Sequence, residues 1–171
     1  LVFCFYIQTA HALSEHLREE VNQRIIDIAG KKLGLDARRQ TPEVQNWLTR
    51  IVRRLSDAES PFHREIVSLL DTAMDEPRYA VLQRYREQLR GVLMAYFRSP
   101  AFVARYLPLD DPTIREALGE RETRRNVIGK GIEALRHAIL EEKDASNQTY
   151  LGRIGQFLDF VSELAERAER R

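Results

Sequence analysis

Apolar residues recur along most of this chain three and four positions apart, the spacing that lines one face of an α-helix. Val44, Leu48, Ile51, Val52 and Leu55 form one such set; Ile66, Leu69, Leu70 and Ala73 form a second. A third comprises Leu82, Tyr85, Leu89, Val92, Leu93 and Tyr96, and a fourth Leu151, Ile154, Leu158, Val161 and Ala165. No stretch alternates apolar and polar residues as a half-buried strand does. The pattern predicts helices over 3–33, 42–56, 61–75, 77–98, 100–107, 112–142 and 148–170, the first breaking near Gly30 or Gly34.

Proline sets the boundaries. Thr41-Pro42, Ser60-Pro61, Ser99-Pro100 and Asp111-Pro112 each place a capping residue before a proline. Proline is favoured at the first helical position, where its missing N–H needs no partner, and Ser, Thr and Asp oxygens cap the next amides. Glu76-Pro77 is a fifth start with a poorer cap. The starts share no common interval, which argues against a solenoid. Connections are short apart from "GLDARRQT" and "PLDD", and "EEKDASNQ" reads as a polar turn. Neighbouring helices should therefore pack antiparallel. The expected fold class is all-α, an antiparallel helical bundle of about six to seven helices forming a single domain over residues 1–171.

With 171 residues the chain is long enough to bury a core of its own. Its single cysteine, Cys4, excludes an internal disulfide, and no apolar run approaches the roughly 20 residues of a membrane span. The opening "LVFCFYIQTAHA" has a signal-like Ala10-His11-Ala12 triplet but no basic leader. It is read as the first turns of a core helix. With no initiating Met, a trimmed chain or a segment of a longer protein is expected, with a cytoplasmic location and no membrane partner.

Charge changes the picture more than composition does. Net charge is +1, yet residues 31–54 carry seven basic against two acidic side chains and residues 56–76 one basic against six acidic. Of 27 basic residues 23 are arginine. A guanidinium binds phosphate through two donors and stacks on bases, so the bias fits nucleic-acid contact; a GC-rich genome produces the same bias without it. Arg50, Arg53 and Arg54 lie opposite the apolar face of their helix, Arg86 and Arg90 do the same on theirs, and Arg121, Arg124, Arg125 and Lys130 form a third cluster. Two readings stay open for each stripe: a groove tracking a phosphate backbone, or a solvated face paired with Glu43, Glu87 or Glu122. Among the aromatics, Tyr85, Tyr96 and Phe97 fit the core, while Tyr79, Tyr106 and Trp47 are candidates for exposed stacking.

Catalytic chemistry finds little support. "GERETRRNVIGKG" (119–131) has glycines and cations, but Ile132 follows Gly131 and Lys130 precedes it, with no Gly-Lys-Ser/Thr and no preceding strand, so it is not a Walker loop. Gly129 and Gly131 are read instead as sites of close helix packing or a bend. His11 with Glu15 and His16 with Glu20 stand four apart, without the matching motifs a bundle di-metal site needs. Neither a serine elbow nor a thiolate setting is present. A non-enzyme with no metal and no cofactor is expected.

An all-helical chain of this size, with proline-capped helices, arginine stripes and no active-site motif, resembles the small subunit of type I CRISPR effector (Cascade) complexes, or the helical C-terminal part of their large subunit. The resemblance spans most of the chain through architecture and charge. It implies a non-catalytic backbone component that contacts other subunits, including further copies of itself, and lines a path for single-stranded DNA or the guide RNA duplex. The competing expectation is a helical protein-interaction module that binds no nucleic acid.

Overall fold

A computed structural model describes residues 2–119, 124–143 and 146–169, with side chains from residue 9 onward. Among the described residues eight α-helices and one 3-10 helix follow in order: α1 (Val2–Leu33), α2 (Thr41–Ser56), α3 (Pro61–Met74), the 3-10 helix (Pro77–Tyr85), α4 (Arg86–Phe97), α5 (Pro100–Tyr106), α6 (Pro112–Gly119), α7 (Arg125–Leu140) and α8 (Tyr150–Glu169). The expected all-α bundle is what the chain forms. Its only bridge among the described residues pairs Lys143 with Thr149 beside the last turn.

All five of the X-Pro pairs named above mark helix starts, but their caps differ. Ser99 Oγ accepts the Phe102 amide at 3.1 Å and Asp111 Oδ1 that of Thr113 at 2.7 Å, each worth about 1 kcal/mol. Thr41 instead donates its hydroxyl to Ala37 O at 2.6 Å, and the buried Ser60 hydroxyl makes no hydrogen bond. At those two starts the fixed proline geometry acts without the expected side-chain cap. The end of α1 falls at Gly34, whose φ of +70° an L side chain rarely adopts. The amides of Leu35 and Gly34 return to Gly30 O and Lys31 O at 2.9 and 3.3 Å, closing a Schellman motif.

One core cluster gathers residues from every helix. α6 packs on α7, α1 on α5 and α2, α3 on α4, and α8 on the 3-10 helix. Phe97, Phe102, Tyr106 and Tyr150 interlock with ring centroids 4.7 to 5.7 Å apart, joining α4, α5 and α8. Lys32 ties α1 to α5 by donating to Arg105 O and Leu107 O at 2.8 and 2.9 Å; burial there lowers its pKa. Among the described residues no helix is long and apolar enough to cross a membrane.

Four expectations need correction. Of the opening expected to start a core helix, residues 9–12 are exposed, as is every residue on to 24, and α1 buries Ile26, Ala29 and Leu33; the side chains of residues 1–8 lie outside the described residues. Residues 77–98 are not one α-helix: a 3-10 segment kinked at Tyr79 precedes α4, because Tyr79 turns inward and donates to Asp159 Oδ1 at 2.8 Å. The 112–142 helix is two, α6 described to Gly119 and α7 beginning at Arg125 after Arg124, whose φ of −60° and ψ of 143° are not helical. The aromatics also exchange roles. Tyr79 and Tyr106 are buried, whereas Tyr85 and Tyr96 are 42% and 53% exposed.

Candidate nucleic-acid interface

α2 buries Val44, Leu48, Ile51 and Leu55 along one face. Three and four residues apart, Arg50, Arg53 and Arg54 occupy an arc of about 100° turned away from that face; Arg50 and Arg53 are exposed, while Arg54 is half-buried with its Nε withdrawn from solvent. They border a surface pocket of ≈ 700 Å³, completed by Ser56, Asp57, Leu118 and Gly119. The pocket thus lies between the C-terminal half of α2 and the end of α6. Arg53 and Arg54 also sit at the negative end of the α2 dipole, which favours cations there.

Aromatic rings set two of these guanidinium groups. Arg50 lies 5.8 Å from the Trp47 ring centroid and Arg54 5.7 Å from that of Phe62 on α3. Trp47 in turn packs so closely on α6 that a Cβ added at Gly119 would stand 2.2 Å from its ring. Among the described residues no carboxylate stands in ion-pair range of Arg50 or Arg53. Asp57, the acid of the pocket, accepts the Glu59 amide at 3.1 Å and so is engaged in starting α3.

Arg86 and Arg90 differ. They are not an outer stripe, because Asp71 on α3 draws both toward the neighbouring helix. Arg90 holds Asp71 Oδ1 through Nε at 3.1 Å and Nη2 at 2.8 Å, and Arg86 reaches the same oxygen at 3.1 Å. Asp75 pairs with Arg86 and Glu87 with Arg90, so each arginine has two carboxylates. The Arg86 hydrogen bond lowers the Asp75 pKa, and Asp75 in turn raises that of Arg86. Other cations are likewise engaged: Arg136 with Glu65 at 2.6 Å, Arg84 with Glu169, and Arg78 with Glu76 at 2.7 Å and Asp159 at 3.3 Å.

The third cluster is placed in part. Arg121 lies outside the described residues. Arg124 is the N-cap of α7 and Arg125 its first residue, both exposed, with no acidic side chain in the first turn. Cations at the positive end of a helix are unfavourable unless an anion offsets them. Chain reach keeps Arg124 within about 18 Å of Gly119, and hence of the α2 pocket's rim. Lys130 is exposed but stands about 140° around α7 from Arg125, so it does not share that face. Gly131 packs against Ala117 and Phe62 as the close-packing reading expects, while Gly129 faces open space.

Gly119 was not legible as a pocket residue, since it falls within an unbroken helical pattern, and nothing in the pattern set the core ring of Phe62 beneath Arg54. Burial pushes the Tyr79 pKa up to about 12 and raises that of Tyr150, leaving both as neutral hydrogen-bonding and packing groups. His63 Nδ1 lies 3.1 Å from Leu55 O, and His11 pairs with Glu15 at 3.9 Å. Among the described residues no three His, Cys, Asp or Glu side chains are grouped to hold a metal ion. Comparison with family models, curated proteins and solved structures gave no match to the chain.

Proposed function

We propose that the chain is a non-catalytic nucleic-acid-binding subunit that holds a phosphate backbone against the outer face of α2 without reading sequence. The observation carrying this reading is the pocket bordered by Arg50, Arg53 and Arg54, in which no carboxylate among the described residues engages Arg50 or Arg53. Three guanidinium groups spread over about 6 Å of helix axis suit successive phosphates of one strand. Trp47 beside Arg50 adds an aromatic surface to the same edge. Arg124 and Arg125, at the positive end of α7, extend the attraction for an anion. Arg86 and Arg90 leave the binding set, their charge being met by Asp71, Asp75 and Glu87.

In this reading the ligand is single-stranded DNA or a guide RNA duplex within a ribonucleoprotein effector complex, the setting implied by the resemblance to Cascade small subunits. Fluorescence anisotropy with labelled single-stranded and duplex DNA and RNA tests it. Binding should weaken with salt at a slope of about −3 in log K against log salt, and Arg50→Glu/Arg53→Glu/Arg54→Glu should reduce affinity roughly 100-fold with helicity unchanged. Salt-independent binding, or binding intact in the triple variant, would reject the assignment.

A further inference from the structure

The walls of the α2 pocket differ in kind. Arg50 and Arg53 border it as exposed cations, but Ser56, Leu118 and Gly119 bring no charge and Asp57 brings a negative one. Phosphate alone would set anions against Asp57 and against the uncharged wall. A neutral, flat group suits that wall and leaves the phosphate to the arginines. The pocket's ≈ 700 Å³ lies within the roughly 300–1,000 Å³ of sites that enclose one small ligand, and a duplex cannot enter it.

A surface for that flat group stands beside the arginines. The Arg50 guanidinium lies over the Trp47 ring, 5.8 Å from its centroid, and the six-membered ring of the same indole packs closely on Gly119. Trp47 is half-buried and Arg50 exposed, so the guanidinium forms the outer layer of the pair. A guanidinium offers its face to an aromatic ring while its N–H donors stay in the plane, so Arg50 can stack a base and still donate to a phosphate at its edge. Arg53 stands about 5 Å further along the helix axis, within reach of that base's own phosphate.

We infer that the α2 pocket is a one-nucleotide subsite, in which an unpaired base stacks on the outer face of the Arg50 guanidinium, backed by Trp47, and its phosphate is held by Arg53. The inference rests on the proposed phosphate binding at α2 and adds to it the form of nucleic acid that enters. In a duplex both faces of each internal base are covered by its neighbours, so only a single strand presents a base to Arg50. Every base has a π face, so the subsite selects single strands without reading sequence.

Three probes on the unaltered whole chain test it: a labelled oligothymidylate, an abasic strand of the same length, and the oligothymidylate paired with its complement. Anisotropy reports binding, and the emission of Trp47, the only tryptophan, reports stacking. The oligothymidylate should bind about tenfold tighter than the abasic strand, the share of one stacked base, and should change Trp47 emission where the abasic strand and the duplex do not. Arg50→Lys, which keeps the charge but loses the planar group, should remove the oligothymidylate's advantage and leave abasic affinity as it was. Equal, salt-dependent binding of both strands without a change in emission would keep the phosphate reading and overturn the base subsite. An equal emission change with the duplex, or an advantage that survives Arg50→Lys, would overturn it too. Failure of every probe to bind would instead reject the α2 assignment itself, and the subsite with it.

Discussion

Helices α2 and α4 carry arginines with similar local spacing, yet their surroundings give them opposite occupations. On α4, Arg86 and Arg90 meet Asp71 and Asp75 across the α3 interface and Glu87 along their own helix, and both arginines are less than a third exposed. On α2, the described residues that α6 brings to the pocket are Leu118 and Gly119, which offer no charge, and its one acid is Asp57 at the end of α2. Spacing along a helix therefore says which cations share a face; the neighbouring helix decides whether they hold the fold together or remain available to a ligand.

The largest expected effect breaks the α4 side of this comparison. Arg86→Glu/Arg90→Glu would place two new carboxylates among Asp71, Asp75 and Glu87, at positions partly withdrawn from water. The loss should be about 3 kcal/mol, or a fall in Tm of roughly 6–12 °C for a chain of this size. Arg50→Glu/Arg53→Glu should change stability by less than about 1 kcal/mol, the loss of a favourable helix-end charge. Thermal melts of the two double variants compare the regions directly. Equal destabilisation would show that the α2 arginines are as structurally committed as those of α4.

A smaller effect sharpens the α2 side. Gly119→Ala drives a methyl to within 2.2 Å of a Trp47 ring carbon, so ring or helix must shift. Overpacking of this kind costs about 1–3 kcal/mol. Trp47 is the only tryptophan, and its emission should change with the displacement. The variant should also bind nucleic acid less tightly than Gly129→Ala, whose added Cβ meets open space. Identical melting and emission in both glycine variants would contradict the Trp47–Gly119 contact.

How far the sequence could be read differs along the chain for physical reasons. The starts at Pro61, Pro100 and Pro112 were legible because proline and capping are local effects. The buried set of α2 was legible too, since four apolar residues at helical spacing leave one way inward. α4 was harder: its apolar arc is broad, and the 3-10 turn before it rotates the register, turning Leu89 and Leu93 inward and Tyr85 and Tyr96 outward. The close packing of Gly119 against Trp47, 72 positions earlier, is a long-range contact, and no local pattern reports it. Arg50, Arg53 and Arg54 could be grouped from their spacing, but the capture of Arg86 and Arg90 by Asp71 is likewise a property of packing.

The smallest expected effect is acid-dependent and separates the two arginine groups once more. The Arg86 hydrogen bond depresses the Asp75 pKa in the folded chain below its ordinary value of 3.8. A depressed carboxyl stabilises the fold at pH values above the unfolded pKa, and that contribution is lost as pH falls through the folded one. Asp75→Asn should therefore melt slightly below the unaltered chain near neutral pH, with the gap closing as pH drops beneath 3.8. Because Asp75 is exposed, added salt should narrow the gap as well. The same titration on an Arg50→Gln/Arg53→Gln background should give the same closing gap, since those arginines lie outside the Asp75 pairing. A gap that widens in acid would reverse the sign of the Arg86–Asp75 coupling, and one that vanishes with the α2 substitutions would mean that the two arginine groups are not separate.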